Sequence, residues 1–138
     1  TPVQHWSARG LGDRNKSLWG GWFMEFNTES IYHAGDTGYS NDFIETRKRL
    51  GSPDLSLIPM GAYAPRWFMK TNHVNPEEAV QISLDLGSRQ SLAMHWGTFL
   101  LTDEEVLEPP ALLKKALEEK NLDEGYFITL KPGEVFNL

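Results

Sequence analysis

The sequence predicts an α/β fold with one mixed sheet and about three helices in a single domain. Three helical segments with recognisable ends alternate with short β-branched and aromatic segments. The predicted order is β-β-β-α-β-α-β-α-β-β, which is typical of layered α/β domains. A chain of 138 residues has room for one domain and not for two.

The predicted strands are short, and several end in turn residues. The first two after the N-terminal strand are expected to pair as an antiparallel hairpin across a turn at 27–30. Gly20-Gly21 indicates a bulge or a close backbone approach in the first of them. The predicted strands cover 3–6, 18–26, 30–34, 54–58 and 91–96, followed by a C-terminal hairpin of 126–130 with 134–136.

The three predicted helices are marked by their caps. For the first, over 41–50, Ser40 is the expected cap and Gly51 the stop, with Phe43, Ile44 and Leu50 facing inward. The second starts at Asn75-Pro76 with acidic residues in its first turn and ends at Gly87, and the third runs over 109–119. The segment Thr102–Glu105 matches a capping box.

Composition narrows the classes of function. The net charge of −6 makes a nucleic acid an improbable partner. Without cysteine, any metal must be held by His, Asp or Glu. No apolar run is long enough to span a bilayer and no signal peptide is seen, so we expect a cytoplasmic protein, with peripheral membrane association open. The start at Thr1-Pro2 without Met suggests a cut inside a longer protein.

The residues with the clearest chemical character lie near strand ends. Asp36 follows a predicted strand within Gly35-Asp36-Thr37-Gly38, at the sheet edge where α/β proteins bind ligands and metals. Asp in such a turn is more often a turn residue, and each histidine taken alone is more often a packed polar residue. His5 and His95 also lie near strand ends, and the set of three suits zinc, or else iron or manganese. Three ligands are too few for two metals.

Six ordered segments resemble a known family: TPVQHW at 1–6, AGDTGY at 34–39, IPMGAY at 58–63, PRWFM at 65–69, HVNPEEA at 73–79 and MHWGTF at 94–99. They resemble the carboxyl-terminal half of metallo-β-lactamase-fold hydrolases related to N-acylphosphatidylethanolamine-hydrolysing phospholipase D. The resemblance implies the second half of an αββα sandwich. It also implies a metal-dependent phosphodiesterase, phospholipase D-like, that acts on N-acylphosphatidylethanolamine-type lipids.

Site roles follow from the same resemblance. It makes His5, Asp36 and His95 metal ligands, with Asp36 bridging two zinc ions in the complete domain. It gives His73 a catalytic role, as a hydrogen-bond donor to the phosphoryl oxygen or the leaving group. Gly61, Ala62 and Tyr63 are expected to line the site.

Two further residues are substrate-binding candidates with structural alternatives. Arg66 is either a phosphate clamp or an ion-paired arginine. Trp67, with its apolar neighbours, either lines an acyl-chain groove or fills core.

The chain departs from the family pattern because the family's first half, with its His-x-His-x-Asp-His signature, is absent. We therefore expect activity only when that half is present. Three alternatives stay open: a non-catalytic half-domain that self-associates, a lactonase-type hydrolase of the same fold, and a binding module with a lone metal.

Overall fold

The centre of the protein is a five-stranded mixed sheet. The computed structural model describes residues 1–7 and 12–138. The sheet has the order β3-β4-β5-β6-β7, in which β3 is antiparallel to β4 and the remaining neighbours are parallel. Its strands are β3 (Trp22–Glu25), β4 (Ser30–His33), β5 (Leu55–Pro59), β6 (Gln90–Met94) and β7 (Phe127–Ile128).

A second, two-stranded sheet contains β1 (Pro2–Ser7) and β2 (Ser17–Gly20). The expectation of one continuous strand over 18–26 is wrong, because this segment divides at Gly21 between the two sheets. The close backbone approach is confirmed. A Cβ on Gly21 would lie 2.7 Å from Tyr32 Oη and 2.8 Å from the carbonyl oxygen of His33.

In the described part of the chain, four α-helices accompany the sheets: α1 (Asp42–Leu50), α2 (Arg66–Met69), α3 (Pro76–Leu86) and α4 (Glu108–Glu119). Three of them match the predicted helices. The one-turn helix α2, inside the long connection after β5, was not predicted, since four residues are too few to show helical periodicity. Helix α3 contacts α1, α4 and β5, so the three long helices form one layer on the sheet.

Local capping chemistry predicts the ends of α3 correctly. The side chain of Asn75 accepts from the backbone N–H of Glu78, Pro76 follows the cap, and Gly87 ends the helix in the left-handed conformation. In α1 the cap position is Asn41, not Ser40, and Phe43 is fully buried as expected.

Three local expectations are wrong. Leu50, the last residue of α1, is 45% exposed, and the buried face of that helix is formed by Phe43 and Thr46. Thr102–Glu105 starts no helix, because the hydroxyl of Thr102, the expected cap, donates to the Glu104 carboxylate instead. The C-terminal hairpin is replaced by β7, which pairs in parallel with β6, while 129–138 contains no strand.

The two faces of the main sheet have different environments. One row across the sheet, containing Tyr32, Ser56, Ser91 and Phe127, is fully buried under the helices. Adjacent residues in a strand point to opposite faces. The next row, Trp22, His33, Leu57, Leu92 and Ile128, is therefore on the other face, and none of its members is buried.

This sheet, with its layer of helices on one face, agrees with the predicted αββα half. Among the described residues, 1–7 and 12–138, no helix has both the length and the apolar character needed to cross a membrane.

Candidate active site

Asp36 lies in the turn that follows β4, at the edge where the parallel strands end. The turn begins at Gly35, which has a φ of +67° and donates its N–H to Nδ1 of His33 at 3.0 Å. A positive φ favours glycine because it has no Cβ. His33 thus shapes the turn that presents Asp36.

Gly38 brings three chain segments together around this turn. Its N–H donates to the carbonyl of Gln4 at 2.6 Å, which connects the turn to the strand that carries His5. A Cβ on Gly38 would lie 2.5 Å from the carbonyl oxygen of Thr71, two residues before His73. The absence of a side chain at Gly38 therefore places His5 and His73 near Asp36.

A second close approach positions His95, which directly follows β6. His95 has a φ of +60°, a strained conformation for a residue other than glycine. Gly61, directly after Met60 at the end of the neighbouring strand, has its Cα against the carbonyl of His95, and a Cβ there would overlap that oxygen. The backbone of Gly61 thus sets the position of His95.

These segments assemble a cluster of three imidazoles and one carboxylate. Asp36 Oδ1 lies 3.5 Å from His95 Nε2. The ring of His73 lies between the other two, with centroids 5.4 Å from His5 and 5.5 Å from His95. Trp19 stacks on His5 with ring centroids 4.6 Å apart, so the His5 ring contacts two aromatic groups.

Burial keeps two of the imidazoles neutral. Desolvation lowers the pKa of His5, opposed by the negative charge of Asp36. Desolvation also lowers the pKa of His73 to about 4, again against the attraction of Asp36. In the part of the chain that the structure describes, Nδ1 of both His5 and His73 is buried without a hydrogen-bond partner. Each of these nitrogens is therefore a buried polar atom whose hydrogen-bonding capacity is unsatisfied.

The cluster has the donor types of a metal site without being a complete one. Neutral imidazole and carboxylate are ligands for zinc, and the unpartnered Nδ1 of buried His5 is an atom that a metal could satisfy. Yet within 1–7 and 12–138, no group of three or more His, Asp or Glu side chains is arranged to hold a metal ion. The donors fit a metal site only as part of a ligand set.

Two of the four candidate lining residues, Gly61 and Ala62, line a cavity next to the cluster, and Tyr63 and Trp67 do not. Gly61 and Ala62 line a cavity of about 370 Å³ together with His95 and Trp96. Tyr63 is buried beside it and donates its hydroxyl to Glu108. Trp67 is 86% exposed and does not line this cavity.

The guanidinium of Arg66 is paired within the protein, although its side chain is 30% exposed. Its guanidinium contacts the Glu78 carboxylate at 2.6 Å and donates to the carbonyl of His73 at 2.8 Å. These contacts connect α2 to α3 and fix the backbone of His73. They correspond to the ion-paired alternative for Arg66. The guanidinium contacts the cluster only through the backbone carbonyl of His73.

Replacing Arg66 with Met removes both contacts and leaves the half-buried Glu78 carboxylate without its cation. We expect a loss of about 1–3 kcal/mol in the free energy of unfolding, measured by urea denaturation. The control is Arg89→Met, because the Arg89–Asp54 pair is more exposed and is expected to contribute less than about 1 kcal/mol. Equal losses in the two variants would contradict this account of Arg66.

Glu104 is a residue that sequence reasoning missed. Its carboxylate accepts from the backbone N–H groups of Ala62, Tyr63 and Ala64 and from the hydroxyl of Thr102. The capping-box pattern of this segment pairs Thr102 with Glu105, so it did not indicate these contacts of Glu104. Burial raises the pKa of Glu104, but the hydrogen bonds from Thr102 and the loop outweigh it and hold the pKa below its usual range.

This depressed pKa predicts a pH dependence of the 62–64 loop. Because the folded-state pKa is below the unfolded one, the stabilisation is present above the ordinary glutamate pKa and is lost as pH falls through the folded value. We expect the amide resonances of Ala62 and Ala64 to titrate below the ordinary glutamate range in NMR spectra. Tyr63 and His73 are the other titratable groups that interact with Glu104. The variant Glu104→Gln should abolish the transition, whereas persistence there would assign it to His73.

Comparison with known proteins identifies the class and then the family. Over its full length the chain superimposes on isothiocyanate hydrolase from Delia radicum gut bacteria with a TM-score of 0.73, at 19% identity and over 52% of that chain. The fold is that of the metallo-β-lactamase hydrolases. A family model described as a beta-lactamase superfamily domain matches residues 1–96, and the chain belongs to this family.

Two relatives carry the name predicted from the sequence blocks. The N-acyl-phosphatidylethanolamine-hydrolyzing phospholipase D 1 of Caenorhabditis elegans is 41% identical over 98% of this chain. The mitochondrial protein of that name from Saccharomyces cerevisiae is 45% identical over 86% of it. A metal-dependent hydrolase of Pelotomaculum thermopropionicum is 30% identical over the whole chain and 55% of its own length. The chain spans 39% and 26% of the length of the first two relatives.

Proposed function

We propose that this chain supplies one part of the active site of a metal-dependent phosphodiesterase that cleaves phospholipids. One observation supports the proposal most: His5, Asp36 and His95, from three separate segments, meet around His73. The relatives named as phospholipases D add the reaction class.

In this proposal His5, Asp36 and His95 are part of the ligand set, and the remaining donors come from a polypeptide segment outside this chain. Two separate facts support it. The described residues form no complete metal-binding group, and the chain matches less than half the length of its phospholipase relatives. The mixture of imidazole and carboxylate favours zinc, with iron or manganese as alternatives. When bound, the metal supplies Lewis acidity that polarises a phosphoryl oxygen and makes water nucleophilic at neutral pH.

The chain's own residues favour cation binding and stabilise the negative charge that develops on the substrate. Asp36 adds a negative charge that favours cation binding, and its contact with Nε2 orients His95. His73 is a neutral imidazole at neutral pH, so one ring nitrogen carries a proton. That N–H donates a hydrogen bond to a phosphoryl oxygen as negative charge develops on it in the transition state.

The substrate proposed is an N-acylphosphatidylethanolamine-type phospholipid. The relatives' names support the headgroup, and the cavity beside His95, walled by Trp96, Phe99 and Leu101, supports an apolar portion. Such a substrate would bring the protein to a membrane surface as a peripheral protein. A lactone is the competing substrate, since one fold supports several chemistries.

The test uses the whole protein that contains this chain. We expect it to hydrolyse a phospholipid phosphodiester, to lose turnover in the presence of a chelator and to regain it with zinc. Turnover unaffected by the chelator would overturn the metal assignment. Hydrolysis of a lactone without hydrolysis of the phosphodiester would select the lactonase instead.

A non-catalytic, self-associating half-domain is the second candidate. It is favoured by the uncovered sheet face and by the edge strand β3, where Trp22 is 72% exposed. Uncovered apolar faces and unpaired strand edges promote association. We expect the 138-residue chain to form dimers or larger species in light scattering, and a monodisperse monomer would contradict this candidate.

A further inference from the structure

Glu104 is bound inside the protein like a ligand in an anion site. Its Oε1 accepts from the N–H groups of Ala62 and Tyr63 at 2.6 and 3.3 Å. Its Oε2 accepts from the N–H of Ala64 at 3.0 Å and from the hydroxyl of Thr102 at 2.7 Å. Both carboxylate oxygens are thus used, across about forty residues of sequence.

The loop that receives this carboxylate has an unusual conformation. Ala62 has a φ of +60°, and three successive N–H groups from 62 to 64 converge on one side. Successive amides in such a turn form a concave anion-binding nest. Ala62 and Tyr63 are only 8% and 5% exposed, so without Glu104 their N–H groups would be left with little access to water.

A second contact connects the same two regions. The hydroxyl of Tyr63 donates to Glu108 at the start of α4. The backbone N–H of Asp103 also donates to the carbonyl of Ala64 at 3.4 Å, so the loop after β5 is attached at three points to the chain between Thr102 and Glu108.

Both regions line the cavity beside His95. Gly61 and Ala62 contribute from the loop after β5, and the segment 97–107 contributes apolar side chains, among them Phe99, Leu101 and Val106. The cavity volume of about 370 Å³ is within the range of small-molecule sites. His95 lines this cavity, so a group bound in the cavity lies next to the imidazole cluster.

We propose that Glu104 is a positioning residue: by fixing segment 97–107 on the 62–64 loop, it builds the cavity that holds an apolar group of the substrate against His95. This inference rests on the proposed function for the identity of the substrate. The existence of the apolar site is independent of the proposed function and can be tested by binding alone. Glu104 itself lines part of the cavity, and its proposed role is exerted through the loop that its two carboxylate oxygens hold.

The first experiment measures binding without turnover. A brominated medium-chain alcohol bound in the cavity should quench the fluorescence of Trp96, and Trp96→Phe identifies that signal among the five tryptophans. We expect Glu104→Gln to weaken binding about tenfold, because an amide cannot accept from three N–H groups. The control is the exposed neighbour Asp103→Asn, which removes the same charge and should bind as the wild type does.

Two results of this experiment would contradict the role proposed for Glu104. Wild-type affinity in Glu104→Gln, or equal weakening in Asp103→Asn, would overturn the proposal. If Glu104→Gln does not fold, Thr102→Val removes a single hydrogen bond to the carboxylate and should weaken binding about two- to fivefold. No change in that variant would overturn the proposal as well.

The second experiment separates this role from general stability. In the whole enzyme, Glu104→Gln should raise KM for a long-chain phosphodiester and leave KM for a short-chain analogue and kcat for both nearly unchanged. An equal fall in kcat on both substrates would indicate a merely structural residue. If the enzyme hydrolyses neither substrate, the proposed function fails, while the quenching result still decides the apolar site.

Discussion

Gly61→Ala is expected to reduce the activity of the whole protein by at least about a hundredfold, while the protein still folds. The new Cβ would overlap the backbone oxygen of His95, and neither partner is a flexible side chain end. The backbone of one of the two residues must therefore move. A shift of about 1 Å at a reacting group can cost about a hundredfold in rate, and overpacking of this kind costs about 1–3 kcal/mol in stability.

The measurement is kcat/KM together with urea denaturation of the same variant. Gly12→Ala is the matched control, because no residue in the described part of the chain lies within 4 Å of a Cβ at that position. It should retain activity and stability. Wild-type activity in Gly61→Ala would show that the position of His95 does not depend on this contact.

Asp36→Asn is expected to abolish function with almost no loss of stability. The amide keeps the shape of the side chain but removes the negative charge that faces three imidazoles. We expect metal content to fall and kcat/KM to drop by at least about a hundredfold. The Asp36–His95 contact is about one quarter exposed, so its loss should cost less than about 1 kcal/mol.

The control for charge removal is Asp54→Asn. Asp54 accepts from the backbone N–H and hydroxyl of Ser30 and lies at the opposite end of β5 from the cluster. Its neutralisation should leave metal content unchanged. A metal content in Asp36→Asn equal to that of the wild type would remove Asp36 from the ligand set.

The parts of the structure that were predicted from sequence are those governed by local chemistry. The ends of α3 follow from Asn75, Pro76 and Gly87, and each uses the hydrogen bond or dihedral angle that its residue type favours. The layered α/β fold follows from the alternation of such helices with β-branched strands. The ordered sequence blocks indicated the family.

The parts that failed depend on contacts between residues distant in sequence. The segment Thr102–Glu105 matched a local capping pattern, but the Thr102 hydroxyl donates to Glu104, whose carboxylate also accepts from three amides of a loop about forty residues earlier. At the C-terminus, a hairpin pattern was overridden because 127–128 pairs with β6. Pairing with a distant strand cannot be deduced from the period of one segment.

The candidate site was predictable only in part, because its location follows from local sequence and its assembly depends on contacts between distant residues. Strand ends indicated where His5, Asp36 and His95 lie, and the structure brings their segments together. The means of assembly was not visible in sequence. Gly38 packs against the backbone of Thr71, and Gly61 packs against the backbone of His95. These contacts join residues distant in sequence, so they are seen only in the folded chain. The stacking of Trp19 on His5 is of the same kind.

The most direct test of the account is an anomalous diffraction measurement at the zinc edge on crystals of the whole protein grown with zinc. The account predicts zinc peaks about 2.0–2.2 Å from donor atoms of His5, Asp36 and His95, with Asp36 between two ions and further ligands from outside this chain. A well-occupied zinc peak bound elsewhere, with these three side chains unligated, would contradict it.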